Sequence, residues 1–77
     1  MELSEFIKNF ADQFDETDAA EIRPETKFKE LDEWSSLIAL SVIAMVDDEY
    51  DVALKGNDIS GSESVEDLFN LVKNRKA

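Results

Sequence analysis

Apolar residues recur along the first part of the chain at Leu3, Phe6, Ile7, Phe10 and Phe14, with Glu2, Glu5, Lys8, Asn9, Asp12 and Gln13 between them. That spacing predicts an amphipathic helix with a single apolar stripe, whose phenylalanines form a core wall. From Asp15 to Trp34 the pattern breaks. Asp18 to Glu21 allows one helical turn, Pro24 disfavours helix at Arg23, and Thr26 to Leu31 keeps no period. Ile22, Phe28, Leu31 and Trp34 are expected to pin this long connection across the helices.

The longest apolar run follows, from Trp34 to Tyr50, and acidic residues bracket it. Ser35 reads as the N-cap, its hydroxyl accepting from a free backbone N–H of the first turn. Ser36 is then the first helical residue, and the helix is expected to end near Tyr50. Ala39, Val42, Ile43, Val46 and Tyr50 are assigned to the core face, with Ile38 and Met45 off it or at its edge. A helix apolar nearly all round is either deeply buried or keeps a face for a partner, and a domain this small has little room for full burial. Beyond it, Gly56 punctuates the chain, Asn57 to Ser60 forms a short helix, and Gly61 ends that helix. Ser64 reads as the N-cap of a last helix, with Asp67 as a shorter relative of the capping-box acid. Val65, Leu68, Phe69 and Val72 repeat at helical spacing, and Lys73, Arg75 and Lys76 suit the negative end of the dipole. The fold expected is all-α: a small four-helix bundle of three main helices plus one short helix, in a single domain over residues 1–77.

Composition narrows the chemistry. The chain has no Cys and no His, so it offers neither a disulfide nor the commonest general base and zinc ligand. A nucleophilic serine needs a base beside it, and none is near Ser36 in the sequence; no catalytic site is expected. Asp12, Asp15, Glu16 and Asp18 crowd one region without EF-hand spacing, so no metal site is assigned. The two glycines form no phosphate loop. With 19 acidic against 8 basic residues and a net charge of −11, the field repels nucleic acid and anionic membranes and attracts basic protein surfaces. No apolar run reaches membrane-spanning length, so no membrane insertion is expected. The acidic start Met1 to Glu5 is unlike a signal peptide, and the expected setting is the cytoplasm. What stands out is a serine at a helix start, where free N–H groups and the dipole favour a phosphate.

These residues carry a family likeness. Ser36-Leu37, the apolar helix after them, and Asp47-Asp48-Glu49-Tyr50-Asp51-Val52 resemble the acyl carrier proteins, whose signature is Asp-Ser-Leu, an apolar helix, then acidic residues, an aromatic and Asp. Pro24 to Phe28 with Leu31, and Ser64 to Leu68, are similar to that family's flanking stretches. The resemblance spans essentially the whole chain. It implies a serine, here Ser36, that carries 4′-phosphopantetheine transferred from coenzyme A by a phosphopantetheinyl transferase. Acyl intermediates then ride as thioesters on the arm, loaded and accepted by enzymes with basic or apolar docking patches. The carrier itself is no enzyme and is expected to be a monomer. The partner-binding residues are expected to be Leu37, Ile38, Ser41, Met45, Asp47 and Asp48.

The chain departs from the family pattern at three places. Ser35 replaces the aspartate before the serine. Ile38 and Ser41 replace two carboxylates, which implies a specialised rather than a housekeeping pathway with Ile38, and Met45 beside it, as apolar anchors. The glycine that usually precedes the motif is missing where Asp32 and Glu33 stand. The alternative is a non-carrier helical interaction module that uses the apolar surface of the central helix.

Overall fold

In the computed structural model, residues 2–76 are described. Four α-helices and no strand are found among them: α1 (Leu3–Ala11), α2 (Ser36–Tyr50), α3 (Gly56–Ser60) and α4 (Val65–Lys76), with short 3-10 turns at Ala19–Glu21 and Phe28–Glu30. α1 packs on α2 and α4, α2 packs on α4, and α3 packs on α4. The radius of gyration is 11.1 Å, close to the ~11–12 Å expected when a chain of this length is folded throughout. The long connection between α1 and α2 is therefore wrapped onto the bundle.

The core lies where the apolar stripes meet. Phe6, Phe10, Phe28, Val42, Val46, Val65, Leu68 and Val72 are fully buried. Phe10 sits among three aromatic neighbours from the connection and its own end: Phe14, Phe28 and Trp34, with ring centroids at 5.6, 5.4 and 6.4 Å. α1 ends at Ala11, one turn before the last residue of its stripe; Phe14 stays buried because a backbone bond from its N–H to the Ala11 carbonyl turns the chain back. Asn9 Nδ2 donates to Tyr50 Oη at 3.0 Å, a polar tie between α1 and the end of α2.

The connection is ordered by its own bonds. Ile22 and Phe28 are buried, while Leu31 and Trp34 are half-buried against the core, so all four expected anchors hold it down. Asp18 caps the first 3-10 turn, its Oδ1 accepting from Ala20 N at 3.0 Å. The carbonyls of Thr26 and Pro24 accept from the N–H groups of Val65 and Glu66. Those are first-turn donors of α4 with no acceptor inside their own helix, so the connection serves as a cap for α4. Ser64 and Asp67 add the expected reciprocal pair: Asp67 N donates to Ser64 Oγ and Ser64 N to Asp67 Oδ2, both at 3.1 Å.

Charged side chains close both ends of α3 and the C-terminal end of α2. Arg75 makes a bidentate pair with Asp58 at 2.6 and 2.7 Å, and Asp58 also accepts from Lys55 N at 2.8 Å, at the start of α3. Lys76 Nζ donates to the Tyr50 carbonyl at 2.9 Å, and Lys29 Nζ to the Ser60 carbonyl at 2.6 Å. Each lysine thus satisfies a carbonyl left free at a helix C-terminus.

Candidate functional site

The site is built at the first turn of α2. Ser35 is extended, with φ −156° and ψ 172°, and its Oγ accepts from Ile38 N at 3.3 Å. The cap is therefore Ser35 and the first helical residue Ser36, as the sequence predicts. Ser36 is exposed. The first turn of α2 carries no acidic side chain, so its uncompensated N–H groups and the dipole present a positive end beside the Ser36 hydroxyl. The last turn reverses this. Asp47, Asp48 and Glu49 crowd the negative end with no basic residue among them.

Beside Ser36 runs an open groove of about 510 Å³, lined on the α2 side by Ser36, Ala39, Leu40 and Ile43, on the α3 side by Gly56, Ile59 and Ser60, and closed by Trp34 and Lys29. Its size falls in the range of small-molecule sites. No carboxylate is among these groove residues, which sets the groove apart in so acidic a chain. The sequence does not reveal it, because the groove joins residues from the connection, α2 and α3. A Cβ added at Gly56 would meet nothing within 4 Å, so the space beside it is open.

The other expected site residues separate into two groups. Leu37 is 73% exposed, Asp47 and Asp48 are exposed, and Ser41 is half-buried, so this face is open to a partner. Met45 is different: it is only 7% exposed and belongs to the core, which corrects its assignment to the edge. Ile38 is half-buried and packs against the core. Ala39 and Ile43, expected on the core face, do pack against the core but are half-buried, because they also form the groove wall. The residue missed is Leu40, 62% exposed. Leu37, Leu40, Ala44, Asp47 and Asp51 repeat every three or four residues and are all exposed, so they form a solvent stripe opposite Val42 and Val46. Helical periodicity would have separated Leu40 from Met45. It was masked because both sides of α2 are apolar.

Glu33 is a second residue the sequence did not single out. Its carboxylate accepts from the N–H groups of Asp15, Glu16 and Thr17 and from Thr17 Oγ1, at 2.7 to 3.0 Å. The Thr17 hydroxyl foremost, with the three backbone donors, holds this carboxyl below the usual range for glutamate. Glu33 thereby anchors the start of the connection close to the entrance of α2.

Among the described residues no group of three or more acidic side chains is placed to hold a metal ion, and no helix is long and apolar enough to cross a membrane. Compared with protein-family models, curated proteins and solved structures, the chain gives no significant match.

Proposed function

We propose that this chain is an acyl carrier protein with a four-helix carrier fold, in which Ser36 bears 4′-phosphopantetheine. The observation that supports this most directly is the setting of Ser36: the exposed first residue of α2, relieved of capping by Ser35 and opening beside an apolar groove. The exposed hydroxyl and the positive helix end fit a phosphodiester. When attached, the arm supplies the thiol that a Cys-free chain lacks. The chain's own residues present and shelter. The first-turn N–H groups of α2 favour the anionic linkage, the groove offers apolar surface to a tethered acyl group, and the Leu37–Asp48 face meets partner enzymes. The base that activates Ser36 belongs to the phosphopantetheinyl transferase, so the carrier is not itself an enzyme. We extend the proposal to a cytoplasmic monomer serving a specialised pathway, since Ile38 and Ser41 stand where carboxylates would meet a basic patch.

The test is direct. The protein is incubated with coenzyme A and a broad-specificity phosphopantetheinyl transferase, and the adduct is mapped by peptide mass spectrometry. Modification is expected at Ser36 alone and absent from Ser36→Ala. Full labelling of Ser36→Ala, or no labelling of the wild type, overturns the reading.

A second reading has one observation in its favour: Leu37 and Leu40 are large apolar residues left exposed on one face, as expected of an interaction module. A partner that binds this face equally well after Ser36→Ala, from a protein that no transferase modifies, would favour the module.

A further inference from the structure

Trp34 is the only tryptophan of the chain, and it stands at the border between core and groove. Its indole stacks on Phe10 with 6° between the ring planes, meets Phe28 edge-on at 4.9 Å and lies 6.2 Å from Phe14. Three aromatic neighbours fix the plane of the ring, yet Trp34 remains half-buried and lines the groove. A rigid aromatic ring therefore forms part of the wall next to Ser36. The groove is also lined by Ala39, Leu40, Ile43 and Ile59, which are short or branched, and the space beside Gly56 is open.

The groove is shallow, since Leu40 lines it and still keeps 62% of its surface exposed. Depth decides which groups gain from entering. A flexible alkyl chain must freeze several rotors to lie in a groove, and each ordered rotor costs free energy. In a shallow groove the return per rotor is small. A planar conjugated group freezes almost none, and it can stack on or meet edge-on an aromatic wall, an arrangement that adds to its area burial. Charge adds a separate limit. Among the described residues Lys29 is the only charged one lining the groove, and its ammonium has donors left after bonding the Ser60 carbonyl. The groove accordingly disfavours a cation, whether aryl or alkyl.

We infer that the groove beside Ser36 selects a planar, aryl-bearing acyl group tethered at that serine over a saturated chain of similar size, with Trp34 as the selecting wall. The inference names the cargo class of the proposed carrier and so rests on that reading for its biological meaning, but the groove can be probed without it.

The absence of Cys makes Ser36→Cys a unique chemical handle. That variant is alkylated with two iodoacetamides of equal linker length, one ending in a cinnamoyl-type aryl group and one in an octyl chain. Occupancy is read from NOEs between each arm and the methyl groups of Ala39 and Ile59, a readout that needs no ring on the arm. The aryl arm is expected to give strong NOEs to both methyls and the octyl arm weak ones. The aryl NOEs should persist in Trp34→Phe, which keeps an aromatic wall, and weaken to the octyl level in Trp34→Leu. An octyl arm whose NOEs are as strong as those of the aryl arm overturns the inference, as does the absence of NOEs from both arms. Failure of the transferase to modify the native Ser36 would strike the carrier reading alone, because the alkylated variant needs no transferase.

Discussion

Thr17 donates twice to a single oxygen of Glu33: its backbone N–H reaches Oε1 at 2.8 Å and its hydroxyl reaches the same atom at 2.7 Å. With Asp15 and Glu16 adding their N–H groups, one carboxylate organises the turn after α1. Glu33→Gln keeps the size but loses the charge that makes these acceptors strong. It should lower the melting temperature clearly more than Glu30→Gln, a nearby exposed control. Hydrogen exchange at the amides of residues 15–17 should speed up first. Unchanged protection there would show that the turn is held by something else.

Two carboxylates set an acid limit to stability. The Glu33 carboxyl is held low by Thr17 and its neighbours, and that of Asp58 by the Arg75 guanidinium first and the Lys55 N–H second. Both folded values lie below the unfolded ones, so their contribution is complete above ordinary carboxylate values of about 4 and is lost as pH falls further. Net charge acts in the opposite sense above that range. As the pH drops from 7 toward the pI near 4.1, the −11 charge shrinks and self-repulsion eases. The melting temperature at fixed ionic strength is expected to rise on mild acidification and then fall below about pH 4. Asp58→Asn should flatten the falling limb. A decline that begins at pH 7 and never reverses would contradict this balance. By the same logic, added salt at pH 7 should raise the midpoint.

The two ends of α2 offer opposite substitutions. Ser35→Ala removes the cap and should cost about 1 kcal/mol in denaturant unfolding, whereas Ser36→Ala should cost far less. At the other end Asp51 is left-handed, with φ 56° and ψ 41°, and adds a negative charge beyond the acidic last turn. Asp51→Asn tolerates that conformation and removes the charge from the wrong end of the dipole, for a gain of about 0.3–1 kcal/mol. A loss of stability would mean that the Asp51 carboxylate has a bonding role.

Exposure also sorts the proposed anchors for partner enzymes. Leu40→Ser should leave the unfolding midpoint nearly unchanged and raise KM with acyl-loading or acyl-accepting partners. Met45→Ser should do the reverse, lowering stability by placing a hydroxyl in the core. A partner insensitive to both Leu37→Ser and Leu40→Ser would remove this face from the docking surface.

Much of the fold was legible because its signals are local. Ser35 and Ser64 announce two helix starts, and the stripe from Leu3 to Phe14 and the repeat from Val65 to Val72 each point one way. The position of Ser36 at the entrance of α2 came with them. The rest was hidden for physical reasons. α2 is apolar on two sides, so the difference between buried Met45 and exposed Leu40 depends on what packs against each. The groove joins Lys29, Trp34, Ile43 and Ile59 across three segments. Glu33 reads as one more surface acid until the turn at residues 15–17 folds over it.

The tie from Lys76 to the Tyr50 carbonyl joins α4 to one end of α2 only. The tethered end is the acidic one, crossed by the last turn of α4, which also holds α3 through Arg75 and Asp58. The other end is Ser36, some 20 Å away along the axis at 1.5 Å per residue. Neutralising Lys76, by acetylation or by Lys76→Gln, therefore loosens α2 at the end remote from its serine. Any loss of helix there would fall on Asp47 to Glu49 while the first turn kept its geometry. In the proposed carrier, such a change would separate two properties that ordinary destabilisation degrades together: the ease with which the serine is modified, and the affinity of the enzymes proposed to recognise the helix.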